Sequence, residues 1–308
     1  MAAILGFGAY LPERVVDHEE LARQLGVEAD WILQACGIRE RRYAAPGETV
    51  VDLAEKAARA CLDRTGQDPT RLGGILVGTG TPHRQFPGVS ASLQQRLGIP
   101  GLALDIHLAS CGGFIALTLA AELCGRLGPI LVVASEIMSE VVQHHPAKET
   151  TILFGDGAGA CIVSPEAGLL EIQDWTASSD GTFADDLCLE PGGPLVMNGR
   201  QVIMQANRKL TGAVKSLLER TATPAAEVGL FLFHQANLNL LKQVAKSLAI
   251  PEARVFVNLE TRGNTSAASV LIAASEAQDQ GLFRSGETGI MAAFGAGFTF
   301  GALQYRVR

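Results

Sequence analysis

Short, almost wholly apolar runs alternate with longer segments of mixed polarity along this chain. GGILVGTGT (73–81), PILVVASEI (129–137) and VGLFLFHQAN (228–237) are brief and rich in branched residues. They predict strands buried on both faces. The TVVD run at Thr49–Asp52 has the form of a capping box, which predicts a helix through Arg64 closed by Gly66. Leu93–Leu97 belongs to another helix, closed by Gly98 and Pro100. After Cys111 the segment GGFIALTLAAELCG is small and apolar on nearly every side, so a helix there must be buried between two sheets. A central helix layer flanked by sheets and covered by outer helices gives an α/β fold stacked α–β–α–β–α.

The same order of motifs occurs twice. In the first half a strand (73–81) is followed by the strand–turn–helix around Cys111, the strand 129–137 and the glycine turn FGDGAGACIV (154–163). In the second half VGLFLFHQAN precedes VFVNLETRGNTSAASVLIAASEA (255–277) and then IMAAFGAGFTFGALQYRV (290–307). Gly73 to Cys111 is 38 positions and Val228 to Asn264 is 36. Matching order and spacing predict a duplicated unit, residues 1–165 and 166–308, with Cys111 and Asn264 at equivalent helix entrances.

Composition narrows the function. Aromatic residues are only 6% of the chain and apolar ones 47%, so the core is built from Ala, Leu, Val, Ile and Gly in closely packed layers. A formal net charge of −7 excludes a general nucleic-acid surface, which needs a basic field. The most apolar stretch, Gly112 to Met138, is broken by Glu122, Arg126 and Glu136 and reads as helix then strand, not a membrane span. MAAILGFGAYLP lacks a basic leader and reads as strand and turn, so a cytoplasmic protein is expected. The six cysteines, at scattered spacings without a CxxC pair, read as reduced thiols, most of them small core residues. The His144-His145 pair reads as a solvated loop, and no metal site is expected.

Three residues carry candidate chemistry. Cys111 sits between a strand and a helix, where backbone N–H groups and the helix dipole favour a thiolate. Ser110 before it and Gly112-Gly113 after it give the backbone room to bend. His234, in LFLFHQAN, ends a buried strand, and Asn264, in TRGNTSAAS, opens a helix. Each has a plainer role as well: packing for the cysteine, a core hydrogen bond for the histidine, a helix cap for the asparagine. FGDGAGA and FGAGF are not dinucleotide fingerprints; such turns can instead aim a backbone N–H at a developing oxyanion.

With these residues assembled, the chain resembles the β-ketoacyl-ACP synthase III family of the thiolase superfamily. The likeness runs end to end through GFGAYLPERVVDHEEL, WILQACGIRERR, SCGGF, LFGDGAGA, FHQAN, GNTSAAS and FGAGFTFGA. It implies a homodimer with the thiolase-like five-layered fold and a Cys111–His234–Asn264 triad. Cys111 would take an acyl group from acyl-CoA or an acyl carrier protein, with the N–H groups of Cys111 and Ala296 as oxyanion hole. His234 and Asn264 would hold the carbonyl of a malonyl thioester, such as malonyl-ACP, while it decarboxylates and condenses. Trp31 and Lys148 match coenzyme A contacts, Phe86 a residue reaching into the partner subunit, and Gly199 and Ile203 further substrate contacts. No cofactor beyond the substrates is implied.

The chain also departs from that pattern. Six steps separate Asp105 from Cys111 where the family has five. Counting without a gap lands on Ser110, whereas the following GGF keeps register from Cys111, which is retained as the expected nucleophile; the extra residue is expected to bulge the strand. Ala35, Asn239 and Met204 stand where the family has basic residues, while Lys242 and Lys246 keep some basic surface. Lost point charges predict weaker coenzyme A or carrier-protein binding. Three other readings stay open: acyl transfer to a non-malonyl acceptor, a papain-like hydrolase using Cys, His and Asn in that order, and a non-catalytic subunit of a heteromer.

Overall fold

The computed structural model describes residues 2–308. The chain runs through β1 (Ala3–Tyr10), β2 (Arg14–Asp17), α1 (His18–Leu25), α2 (Ala29–Cys36), β3 (Glu40–Tyr43) and α3 (Val50–Thr65). It continues through β4 (Gly74–Thr79), α4 (Val89–Leu97), β5 (Leu102–His107), α5 (Gly112–Leu127), β6 (Ile130–Glu136), α6 (Met138–Val142), α7 (Lys148–Thr151) and β7 (Gly157–Ser164). The second part holds β8 (Leu170–Ser179), β9 (Leu187–Leu189), β10 (Leu195–Met197), α8 (Gly199–Arg220), β11 (Val228–Phe233) and α9 (Leu238–Leu248). It ends with α10 (Leu259–Arg262), α11 (Ser269–Asp279), β12 (Thr288–Phe294) and β13 (Thr299–Val307).

The capping box forms as the sequence predicts. Thr49 accepts from the Asp52 N–H, the Asp52 carboxylate accepts from the Thr49 N–H at 2.7 Å, and Gly66 closes α3 in the left-handed region. The Thr49 hydroxyl therefore satisfies one of the orphan N–H groups at this helix start, worth about 1 kcal/mol.

Strand order is β11-β12-β13-β8-β1-β7-β6-β4-β5. Parallel pairing of β4 with β5 and β6 requires the crossover helices α4 and α5, whereas β6–β7 and β7–β1 are antiparallel. Two sheets were expected around a helix layer. Hydrogen bonding instead continues from one to the other, because Ala3 and Ile4 of β1 pair with Glu171 and Leu170 of β8. That junction is two residue pairs long, so the sheet can turn there and enclose α5 and α11.

Three large apolar clusters fill the layers, beside a small one of Met138, Val142, Phe154 and Leu195. Alanine-rich α5 and α11 pack with Phe114, Leu271 and Met291 in the middle. Helices α3 and α4 cover one outer face, and α8 and α9 the other. Side chains as small as Ala and Gly let α11 approach β7 closely: a Cβ on Gly159 would lie 2.6 Å from that of Leu271. The first part runs β1–α3–β4–α4–β5–α5–β6–β7 and the second β8–α8–β11–α9–α11–β12–β13. A lone parallel bridge between Phe231 and Val255 stands where the second part would have its counterpart of β5. The carboxyl ends of β4, β5, β6, β11 and β12 point to one region, the usual place for a site in such sheets.

Candidate active site

The turn between β5 and α5 is tighter than the sequence suggests. β5 pairs with β4 in unbroken register from Leu102 to His107, so the extra residue does not bulge the strand. It is absorbed after it: Leu108 N–H donates to Ile106 O at 3.0 Å, and Cys111 N–H donates to Ala109 O at 2.7 Å. The second of these is a γ-turn centred on Ser110, whose φ is 63°. Positive φ makes it the rare, strained form of that turn. Two contacts hold it. Ser110 N–H donates to Ser266 Oγ at 2.9 Å, and Gly295 packs so closely that a Cβ there would lie 2.2 Å from Ala109 O.

His234 follows β11 and is buried, with burial holding its imidazole at about 4, well below the usual histidine range. It is therefore neutral near pH 7. Its Nδ1 shares a 2.5 Å hydrogen bond with Ser269 Oγ, which also accepts from Gln235 N–H at 3.2 Å. Asn264 is buried as well. Its Oδ1 accepts from Ser266 N–H at 2.9 Å, and its backbone bonds Leu153 O and Gly155 N–H. With Oδ1 engaged, the Asn264 side chain keeps its amide N–H groups to donate. The asparagine thus accepts the Ser266 N–H at the start of the 266–268 turn and leaves its amide N–H groups free.

Beneath the turn lies Glu136, fully buried at the end of β6. Its carboxylate accepts from Gly80 N–H at 3.0 Å, Thr81 Oγ1 at 2.6 Å, Ser266 Oγ at 3.0 Å and Ala267 N–H at 3.3 Å. Burial raises its pKa and these donors oppose the rise. A chain of hydrogen bonds runs from Ser110 N–H through the Ser266 hydroxyl to Glu136. The sequence held two signals of this network: a lone charge in an apolar strand, and serines three apart in NTSAAS. Neither Ser266, Ser269 nor Gly295 was anticipated.

One apolar pocket, a cavity of about 100 Å³, joins these parts. Ser110, His234, Asn264, Ser266 and Gly295 line its floor, and Leu187, Leu195, Met197, Val202, Ile203 and Leu240 its walls. Gly199 also lines it. A larger polar groove of about 580 Å³ between Ala226 and Glu287 contains none of the expected triad.

Cys111 does not reach the pocket. It caps α5 in the right-handed helical region, is wholly buried in the central apolar cluster, and burial raises its thiol pKa. Burial thus opposes the thiolate that the helix entrance favours. Of the expected oxyanion pair, the Cys111 N–H donates to Ala109 O, and Ala296 adjoins Gly295, which lines the pocket.

The remaining sequence-predicted residues stand apart from the pocket lining. Trp31 is half-buried on α2, and Lys148 Nζ donates to Gly26 O, at the α1–α2 corner, at 3.5 Å. Phe86 is 81% exposed. Asn239, in a position where the resemblance has arginine, donates to Gln34 O at 3.1 Å and ties α9 to the end of α2. His145 is not merely solvated: it bonds Leu195 O at 2.6 Å and ties its turn to β10 beside the pocket. The cysteines at 36, 61, 124 and 161 are buried and unpaired, and Cys188 is half-buried. Among the described residues there is no cluster of metal-ligating side chains, and no helix is long and apolar enough to cross a membrane.

Known proteins resemble this chain over its full length. The family model for 3-Oxoacyl-[acyl-carrier-protein (ACP)] synthase III matches residues 104–181, and the model for its C terminal part matches residues 218–307. A beta-ketoacyl-[acyl-carrier-protein] synthase III from Oleidesulfovibrio alaskensis is 38% identical, with 98% of each chain covered. One from Chelativorans is 36% identical, with 99% of each covered. The crystal structure of 3-oxoacyl-[acyl-carrier-protein] synthase III from Aquifex aeolicus superposes with a TM-score of 0.94 at 33% identity, covering 99% of this chain and 100% of that one. The Pseudomonas aeruginosa enzyme gives 0.93 at 30% identity, with 99% and 98% covered. The fold is thiolase-like, and the chain belongs to the β-ketoacyl-ACP synthase III family.

Proposed function

We propose that this protein is an acyltransferase catalysing decarboxylative Claisen condensation of an acyl thioester with a malonyl thioester through a covalent acyl-enzyme. The observation that carries the reading is the meeting of His234 and Asn264 at the floor of one apolar pocket, beside the strained turn that opens α5. The acyl group would come from acyl-CoA or an acyl carrier protein and be held at that turn. A malonyl thioester, malonyl-ACP above all, would then place its thioester carbonyl between His234 and Asn264. Two neutral donors in an apolar pocket stabilise the enolate left by loss of CO₂ more than they stabilise the starting carboxylate. The chemistry as written needs no cofactor.

The two parts, 1–165 and 166–308, divide the labour: the first supplies the turn, the second His234 and Asn264. A cytoplasmic homodimer fits the same reading. Edge strand β5 leaves Leu102 and Leu104 exposed, and Phe86 is exposed as well, so a second copy would cover apolar surface and pair a free edge. Trp31 and Lys148 would contact coenzyme A at the α1–α2 corner, and Lys242 and Lys246 a carrier protein.

The test is product analysis with butyryl-CoA and malonyl-ACP. Equal amounts of CO₂ and a product two carbons longer support condensation. Acyl transfer without CO₂ release rejects it in favour of a non-malonyl acceptor. Light scattering of the purified chain tests the dimer.

A further inference from the structure

We propose that Ser110 Oγ, and not Cys111 Sγ, is the atom that takes the acyl group. The inference rests on the acyl-enzyme reading above and assigns its atom. Position is the first argument: Ser110 lines the pocket with His234 and Asn264, whereas Cys111 is enclosed in the central core. A thioester entering the pocket meets Ser110 and not Cys111.

Backbone conformation is the second. Ser110 is the residue with φ of 63° in the γ-turn at the mouth of α5, and Cys111 has ordinary helical geometry. A non-glycine residue keeps such a conformation only where its surroundings impose it. Here they do so from two sides, through Ser266 Oγ on the Ser110 N–H and Gly295 against Ala109 and Cys111. The fold thus spends its local strain on presenting Ser110.

Proton chemistry is the third. A serine hydroxyl, unlike a thiol, is a poor nucleophile without a base. His234 is neutral, and its Nδ1 partner is the Ser269 hydroxyl, which can either accept from Nδ1–H or donate to Nδ1. Both tautomers are therefore supported. Nε2 can offer a lone pair to Ser110 in one half-reaction and an N–H to a substrate carbonyl in the other.

In the first half-reaction Ser110 Oγ attacks the thioester carbonyl and its proton passes to His234 Nε2. The C–S bond then breaks and the departing thiolate takes that proton, leaving an oxoester on Ser110. In the second, the malonyl C–C bond to its carboxylate breaks, CO₂ leaves, and the enolate carbon attacks the oxoester carbonyl. The C–O bond breaks, and the Ser110 alkoxide takes a proton from solvent, relayed through His234, which ends neutral.

The test is intact-mass analysis of the wild-type protein and the S110A, S110C and C111A variants after incubation with acetyl-, butyryl- and octanoyl-CoA. Each variant is first checked for wild-type circular dichroism. The wild-type adduct should survive neutral hydroxylamine, as an oxoester does and a thioester does not. S110A should lose the adduct, C111A should keep it, and S110C should carry a hydroxylamine-labile one. A labile wild-type adduct, an adduct retained by S110A and lost by C111A, or no wild-type adduct with any donor overturns the assignment. Should a variant not fold, the hydroxylamine result on the wild type decides alone. An oxoester on Ser110 without CO₂ release from malonyl-ACP would sink condensation and leave Ser110 standing. CO₂ release with a thioester on Cys111 would do the reverse.

Discussion

Ser110 N–H donates to Ser266 Oγ at 2.9 Å, and both residues have positive φ, 63° and 48°. The two strained turns that open the central helices thus brace one another, one from each part of the chain. Ser266 in turn donates to buried Glu136, which leaves it free to accept from Ser110. Ser266→Ala removes an acceptor and a donor at once. Denaturant unfolding should show a loss of about 1–3 kcal/mol. Single-turnover acylation by butyryl-CoA should slow by about tenfold or more, because the turn relaxes.

Glu136→Gln tests the other end of that chain. The carboxylate accepts from five groups, two of them backbone N–H groups that can only donate, and an amide would set its own NH₂ against some of them. A stability loss of about 3 kcal/mol is expected, read from the denaturation midpoint. Glu136→Asp, which keeps the charge but shortens the reach, should lose less. Equal losses would mean that the acceptor character of the group is unimportant.

Gly295 and Gly199 both line the pocket, yet they should respond oppositely to alanine. A Cβ at Gly295 would lie 2.2 Å from Ala109 O and 2.6 Å from Cys111 N, while one at Gly199 meets nothing within 4 Å. Gly295→Ala should unfold at a clearly lower temperature and abolish acylation, since the contact is with backbone that cannot swing away. Gly199→Ala, at the first position of α8, should be neutral or stabilising by up to about 1 kcal/mol. Thermal melts of both variants check the contrast.

His234 makes stability depend on pH in a definite sense. In the folded chain its imidazole titrates at about 4, against 6.5 for the free group. As pH falls, the unfolded chain binds the proton first. This contribution is complete above pH 6.5 and is lost progressively down to about 4, amounting to about 3 kcal/mol. His234→Gln should flatten that part of the stability–pH curve. A wild-type curve unchanged by the substitution between pH 6.5 and 4 would contradict a buried neutral imidazole. Activity should keep its neutral imidazole to well below pH 6.

Periodicity was enough to read the layers, the capping box of α3 and the buried helix after Cys111, because each is set by local spacing and by the size of side chains. His234 and Asn264 were legible too, since polar residues that close apolar runs stand out. The β1–β8 continuity was not, because two residue pairs from distant segments leave no sequence period. Nor could spacing choose between Ser110 and Cys111. One extra residue between Asp105 and Phe114 fits on either side of the nucleophile, and only the γ-turn, the contact with Gly295 and the burial of the thiol separate the two. Those are three-dimensional facts. Ser269 escaped notice because its importance lies in the ring nitrogen it faces, 35 positions earlier.

The most direct measurement is tandem mass spectrometry of the wild-type chain, quenched in acid after mixing with butyryl-CoA and digested at low pH. The peptide spanning Asp105–Phe114 should carry one butyryl group, with fragment ions placing it on Ser110. A butyryl group placed on Cys111 would contradict the assignment to Ser110.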